Sequence, residues 1–195
     1  MKKVLALVAL TLLMASSVTA QVDPDAEGFG VFFDLDYTSR CTTLSATGLL
    51  NAYVVASNIS RPTLGGWEGK VSIDNPNFMF MSATLAGSGP INMLTAPEFM
   101  VGLGVPMEAA PNLRLVTIVY YVMALQPANL FVGPCTSFQS IAGEACYADG
   151  ADPGILVPFQ APAGSWLLPA AKVNQVCDIV AIEDETWGGV KGMFK

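Results

Sequence analysis

Five carboxylates sit where turns gather side chains. Asp34 and Asp36 form an Asp-x-Asp pair at the end of an apolar run, while Glu144, Asp149 and Asp152 surround the stretch Asp149-Gly150-Ala151-Asp152-Pro153-Gly154. Such loops offer carboxylates plus free backbone carbonyls, the hard oxygen ligands that calcium takes. Asp-Gly and Asp-Pro-Gly are equally turn sequences, in which the Asp side chain caps its own backbone. No twelve-residue EF-hand pattern is present, so turn formation is the stronger reading and calcium the alternative. Paired acids also run glycoside hydrolysis when burial raises the pKa of one of them. With 16 Asp and Glu some pair is inevitable, and no spacing singles one out.

Other chemistry is limited by what is missing. The 195 residues contain no His, which removes His-based triads, His-containing zinc sites and imidazole proton shuttles. No Gly-x-Ser-x-Gly motif presents a serine nucleophile. A formal charge of -7, with 9 Lys and Arg scattered singly, argues against a nucleic-acid partner. These absences favour binding over catalysis and make the chain a non-enzyme by expectation.

Of the remaining reactive groups, the four cysteines Cys41, Cys135, Cys146 and Cys177 form an even set without C-x-x-C spacing. In an exported chain that favours disulfides. Cys135 and Cys146 bracket a short Gly-containing loop and are expected to pair locally, leaving Cys41 with Cys177. The local bridge would contribute about 3 kcal/mol and the long one about 4–5 kcal/mol in the chain-entropy account. Trp187, beside Gly188-Gly189, and Trp67 are candidates for stacking on a sugar ring, although most aromatics in a domain this size must be core. Met79, Met81, Met93, Met100 and Met107 offer soft sulfur, yet without His or a free Cys beside them they read as core filling.

The elements that must position these groups begin after a targeting segment. Lys2-Lys3, the apolar run Val4 to Met14 and the small residues before Gln21 make residues 1–20 a signal peptide, expected to be helical and cleaved after Ala20. Its removal leaves 175 of the 195 residues; 9 basic groups become 7 against 16 acidic, a net charge of -9. No later run is long enough to span a bilayer. The expected address is secreted, extracellular or cell-surface, the periplasm included, with residues 21–195 as one domain.

Within that domain, 18 Gly and 13 Pro punctuate short runs rich in Val, Ile, Tyr, Phe and Thr. The runs 30–35, 49–57, 67–73, 78–85, 98–103, 113–124, 130–132, 155–159 and 166–168 read as strands. Trp67, Gly69, Val71 and Ile73 alternate with Glu68, Lys70 and Ser72, the period of a half-buried strand. Asp74-Asn75-Pro76-Asn77 predicts a hairpin joining 67–73 to 78–85. The run 113–124 is apolar on both parities and predicts a central strand buried on both faces. Together these predict an all-β antiparallel sandwich with only short helical turns.

The pattern resembles the immunoglobulin-like and cohesin-like sandwiches of bacterial exported proteins. The carrying residues are Asn51-Ala52-Tyr53-Val54-Val55-Ala56-Ser57-Asn58, Gly65-Gly66-Trp67-Glu68-Gly69-Lys70-Val71-Ser72-Ile73 and the run 113–123. Cohesins bind partner modules through a sheet face; the resemblance implies the fold and transfers no contact residue. A second resemblance is to small bacterial secreted proteins that share the opening Gly30-Val31-Phe32-Phe33-Asp34 and the ending Thr186-Trp187-Gly188-Gly189-Val190-Lys191. The functional expectation is a structural or protein-binding module of the cell surface or extracellular space, with a protein or cell-surface glycan as partner. The alternatives are a calcium-assisted carbohydrate-binding module and a carboxylate-based glycoside hydrolase.

Overall fold

β-branched and aromatic runs between Gly, Pro and Asx turns become strands because their stiff side chains pack on a pleated surface. In the computed structural model, which describes residues 26–179, they are β1 (Gly28–Phe32), β2 (Cys41–Thr42), β3 (Gly48–Ser57), β4 (Thr63–Ile73), β5 (Phe78–Leu85), β6 (Ile91–Asn92), β7 (Glu98–Glu108), β8 (Asn112–Val122), β9 (Ala128–Gly133), β10 (Cys146–Asp149), β11 (Leu156–Pro158) and β12 (Ala171–Val173). The one helical element described is a 3-10 turn at Pro162–Gly164. The signal peptide and Trp187 lie outside the described residues.

Two sheets face each other as a sandwich. One has four strands in the order β1-β3-β8-β5; the other has eight, β11-β10-β4-β9-β12-β2 with β7 on the other side of β4 and β6 beyond it. All pairings are antiparallel except β12 with β2. The core lies between the sheets, with Val31, Val54, Ile118 and Tyr120 from the first meeting Val71, Phe99, Leu130 and Tyr147 from the second. Stacking of Phe29 on Phe159, with ring centroids 4.8 Å apart, ties the strand β1 to the chain just after β11.

Three local expectations change. Asp74-Asn75-Pro76-Asn77 does turn the chain, with Phe78 N donating to Asn75 O at 3.1 Å, but it carries the chain from one sheet to the other. Thus β4 pairs with β7, β9 and β10, and β5 pairs with β8; the two are not a hairpin. The corner is held from outside, where Asp74 accepts from Asn129 N and Nδ2 at 2.8 and 2.7 Å and Asn75 Nδ2 donates to Pro127 O. Strand β8 is central in its sheet, yet it is buried on one face only: Tyr120 is covered and Tyr121 is 41% exposed. The run 166–168 forms turns instead of a strand, closed by Leu168 N donating to Ser165 O.

The long disulfide forms as expected between Cys41 and Cys177, which are 136 residues apart and flank the β2/β12 edge. The local bridge does not: Cys135 and Cys146 are buried free thiols. Cys135 Sγ donates to Gly69 O and Phe99 O at 3.3 Å, and Cys146 lies opposite Glu68 where β10 pairs with β4. Burial first, then the negative charge of Glu68, pushes the Cys146 thiol up to about 12. Cys135 is raised by burial as well. Both therefore stay protonated near neutrality and are poor nucleophiles.

Candidate functional site

The acidic turns are engaged in turn chemistry. Asp34 accepts from Thr38 N, Thr38 Oγ1 and Ser39 N; Asp149 accepts from Ala151 N and Asp152 from Gly154 N. These backbone and hydroxyl donors hold the Asp34 carboxyl below its usual range against the opposing effect of its partial burial, the largest single influence. Arg61 stands 3.8 Å from Asp149, and Glu144 accepts from Trp166 Nε1 at 3.1 Å, while Asp36 has no such partner among the described residues. Among the described residues no three Asp, Glu, Cys or His side chains converge as metal ligands. Trp67 is not free for ring stacking either. It is 3% exposed, with its ring 5.4 Å from that of Phe99.

Instead, two sheet surfaces stand out. On the outer face of the four-stranded sheet, pairing registers place Leu49 opposite Tyr121 and Tyr121 opposite Met79. These three are 71%, 41% and 46% exposed, and Met81 and Met123 are half exposed beside them. Met79 and Met81, read above as core filling, thus stand in solvent; a bulge between Phe80 and Ser82 puts Met81 out of the regular pleat. The next row of this face, Asn51-Val119-Ser82, flanks a valine with polar side chains, and the one after it, Tyr53-Thr117-Thr84, carries three hydroxyls. At the β1 border Phe32, Tyr37 and Tyr53 meet edge to face, and the buried Arg40 lies over the Phe32 ring at 5.2 Å. The face grades from an apolar strip to hydroxyls to aromatic rings, and among the described residues no loop crosses the strip.

The outer face of the eight-stranded sheet differs. One cross-strand row runs Met100, Glu68, Cys146, Pro158 and the next runs Ile91, Gly102, Gly66, Ala148, Leu156. Three small residues in the middle of the second row leave a groove floor between bulky ends. Gly66 is fixed there because a Cβ would lie 2.6 Å from Val101 O, whereas a Cβ on Gly102 meets nothing within 4 Å. The groove has a volume of about 270 Å³, and Met93, Met100, Glu68 and Leu156 contribute to its walls.

The loop 134–145 closes one side of that groove and is clasped by two glutamates. Glu68, only 3% exposed, accepts from Ser140 N on Oε1 and Ser140 Oγ on Oε2, both at 2.7 Å. Glu98 accepts from Thr136 Oγ1, Thr136 N and Ser137 N, and Lys70 stands 4.0 Å away. The Thr136 hydroxyl, then Ser137, holds the Glu98 carboxyl down to about 2. Sequence reasoning placed Glu68 on the wet side of β4. Nothing in the strand pattern reveals that a loop seventy residues later covers it.

No protein-family model matches the chain, and no curated protein matches it. The fold does have solved relatives in shape. The second type II cohesin module of the ScaA scaffoldin of Acetivibrio cellulolyticus superposes with a TM-score of 0.50 at 12% identity, over 78% of this chain and 99% of that one. The sixth cohesin of scaffoldin B from the same organism, solved in complex with a dockerin, gives 0.49 at 12% identity over 76% and 99%. A type II cohesin domain from that organism's cellulosome gives 0.46 at 12% over 78% and 98%. At these identities the likeness is one of fold. The sandwich is cohesin-like, as the strand pattern implied.

Proposed function

We propose that this chain is an exported, non-enzymatic protein-binding module that docks a partner on the outer face of its four-stranded sheet. The observation that carries the reading is the exposed cross-strand row Leu49-Tyr121-Met79. Scattered exposed apolar residues are ordinary, but a contiguous strip on a flat face, bordered by hydroxyls, has the composition of an interface centre with a polar rim. Tyrosine and methionine suit that centre: one gives a large contact with a polar tip, the other an adaptable one. The cohesin-like fold is compatible with such a module. The disulfide and the leader-like first 20 residues support export.

The test places a photo-crosslinking amino acid at position 121 and, as a control, at position 152, in cells that produce the protein. Position 121 should capture one defined protein that position 152 does not. That protein, purified, should bind Leu49→Asp/Tyr121→Asp at least about tenfold more weakly than wild type, a loss of about 1.4 kcal/mol. Unchanged affinity would remove the four-stranded face from the interface. Turnover of a polysaccharide or ester that disappears on replacing one acid would overturn the non-enzyme reading. N-terminal sequencing of the exported protein should begin at Gln21.

A further inference from the structure

The groove on the eight-stranded sheet holds an unusual charge. Glu68 is almost wholly buried beside Met100, Cys146 and Ser140, and its hydrogen-bond partners are uncharged: the amide and the hydroxyl of Ser140. Among the described residues no cation answers it. Lys70, two residues along the same strand, is turned to Glu98, and Arg61 is with Asp149. Burying a carboxylate without an opposite charge is costly, and the cost falls when a cation arrives. A carboxylate has about four acceptor positions, and Ser140 fills one on each oxygen.

We infer that this groove takes a lysine side chain presented by a partner protein. The four-carbon stem lies along Met93, Met100 and Leu156 over the bare Gly66-Gly102 floor, and the ammonium reaches an acceptor position of Glu68 that Ser140 leaves open. A point-like ammonium needs one strong contact and takes a position that Ser140 leaves on Glu68. A guanidinium gains by engaging both oxygens at once, and Ser140 already bridges them. The overall charge of -7 favours approach of a basic partner. The groove shares no residue with the Leu49-Tyr121-Met79 row, so the two assignments stand or fall separately.

The probe is the tripeptide acetyl-Gly-Lys-Gly-amide, titrated into isotopically labelled protein while amide chemical shifts are followed, beside the same peptide with norleucine or arginine at its centre. The lysine peptide should shift the amides of Gly66, Gly102 and Ala148 saturably, and the norleucine and arginine peptides should bind about tenfold more weakly or less, one factor of ten being 1.4 kcal/mol. Glu68→Gln, which keeps an acceptor for Ser140, should erase the preference for lysine over norleucine. Gly102→Leu should block all three peptides, and because its side chain enters open space the fold is retained. Equal binding of the lysine and norleucine peptides to wild type would overturn the inference, as would undiminished lysine binding to Gly102→Leu or shifts confined to other parts of the surface.

Discussion

The outer faces of the two sheets solve opposite problems with the same acidic, apolar chain. The four-stranded sheet leaves Leu49, Tyr121 and Met79 in water, and no loop among the described residues covers them. The eight-stranded sheet folds its own loop 134–145 back over itself and uses Glu68 and Glu98 to hold it. A face covered by its own chain is stabilised by that chain, so altering it changes stability. A bare face contributes little to stability, so altering it should change association instead. The comparison therefore predicts where mutations act, and each of the following can break it.

The largest effect lies at the far edge of the eight-stranded sheet. Cys41→Ser/Cys177→Ser opens a loop of 136 residues and should lower unfolding stability by about 4–5 kcal/mol in urea titrations. Binding through the four-stranded face should persist wherever the variant is still folded. Next, Glu68→Ala leaves the Ser140 amide and hydroxyl without their acceptor. The expected loss is about 1–3 kcal/mol, with faster hydrogen exchange across 134–145 than in wild type. A loss as large from Leu49→Ala would contradict the contrast between the faces.

Glu98 provides a softer test through pH. Its carboxyl sits at about 2 in the folded chain against 4.5 for an ordinary glutamate, so its contribution is fully present above about 4.5 and is lost as the pH falls toward the folded value. Protection of the Thr136 and Ser137 amides should decline over that window, and Glu98→Gln should flatten the dependence. The smallest effect belongs to Tyr121→Ser, expected to move stability by no more than about 0.5 kcal/mol. Its consequence should appear as weaker partner binding and higher solubility.

How much of this is written in the sequence varies with how local the cause is. Alternation along β4 locates its buried face, because Trp67 and Val71 answer to the core directly. The turn at 74–77 is equally legible as a turn. Whether its flanking strands pair or part to opposite sheets depends on Asn129 and Pro127, some fifty residues away, and no local pattern carries that. Cys41 and Cys177 pair because β2 and β12 are neighbours; Cys135 and Cys146, closer in sequence, stay apart as buried thiols, Cys135 on Gly69 O and Phe99 O and Cys146 on β10 opposite Glu68. The acidic turns read correctly as turns through their Asp-Gly and Asp-Pro-Gly spacing. The exposed methionines and the glutamate under its loop were hidden for the same reason: exposure belongs to the partner surface, not to the residue.

The Cys41-Cys177 link also gives the module a mechanical character. Tension applied between residue 26 and residue 179 passes from Cys41 to Cys177 through sulfur, and the 135 residues between them bear no load. Only the stretch before Cys41, which contains β1, can be peeled away, yielding a contour of about 50 Å, whereas the shielded part would yield about 450 Å. A single-molecule pulling trace should show the short extension alone until a reductant is added. In a chain of such modules the domain would behave as a nearly inextensible link whose binding faces keep their shape under load.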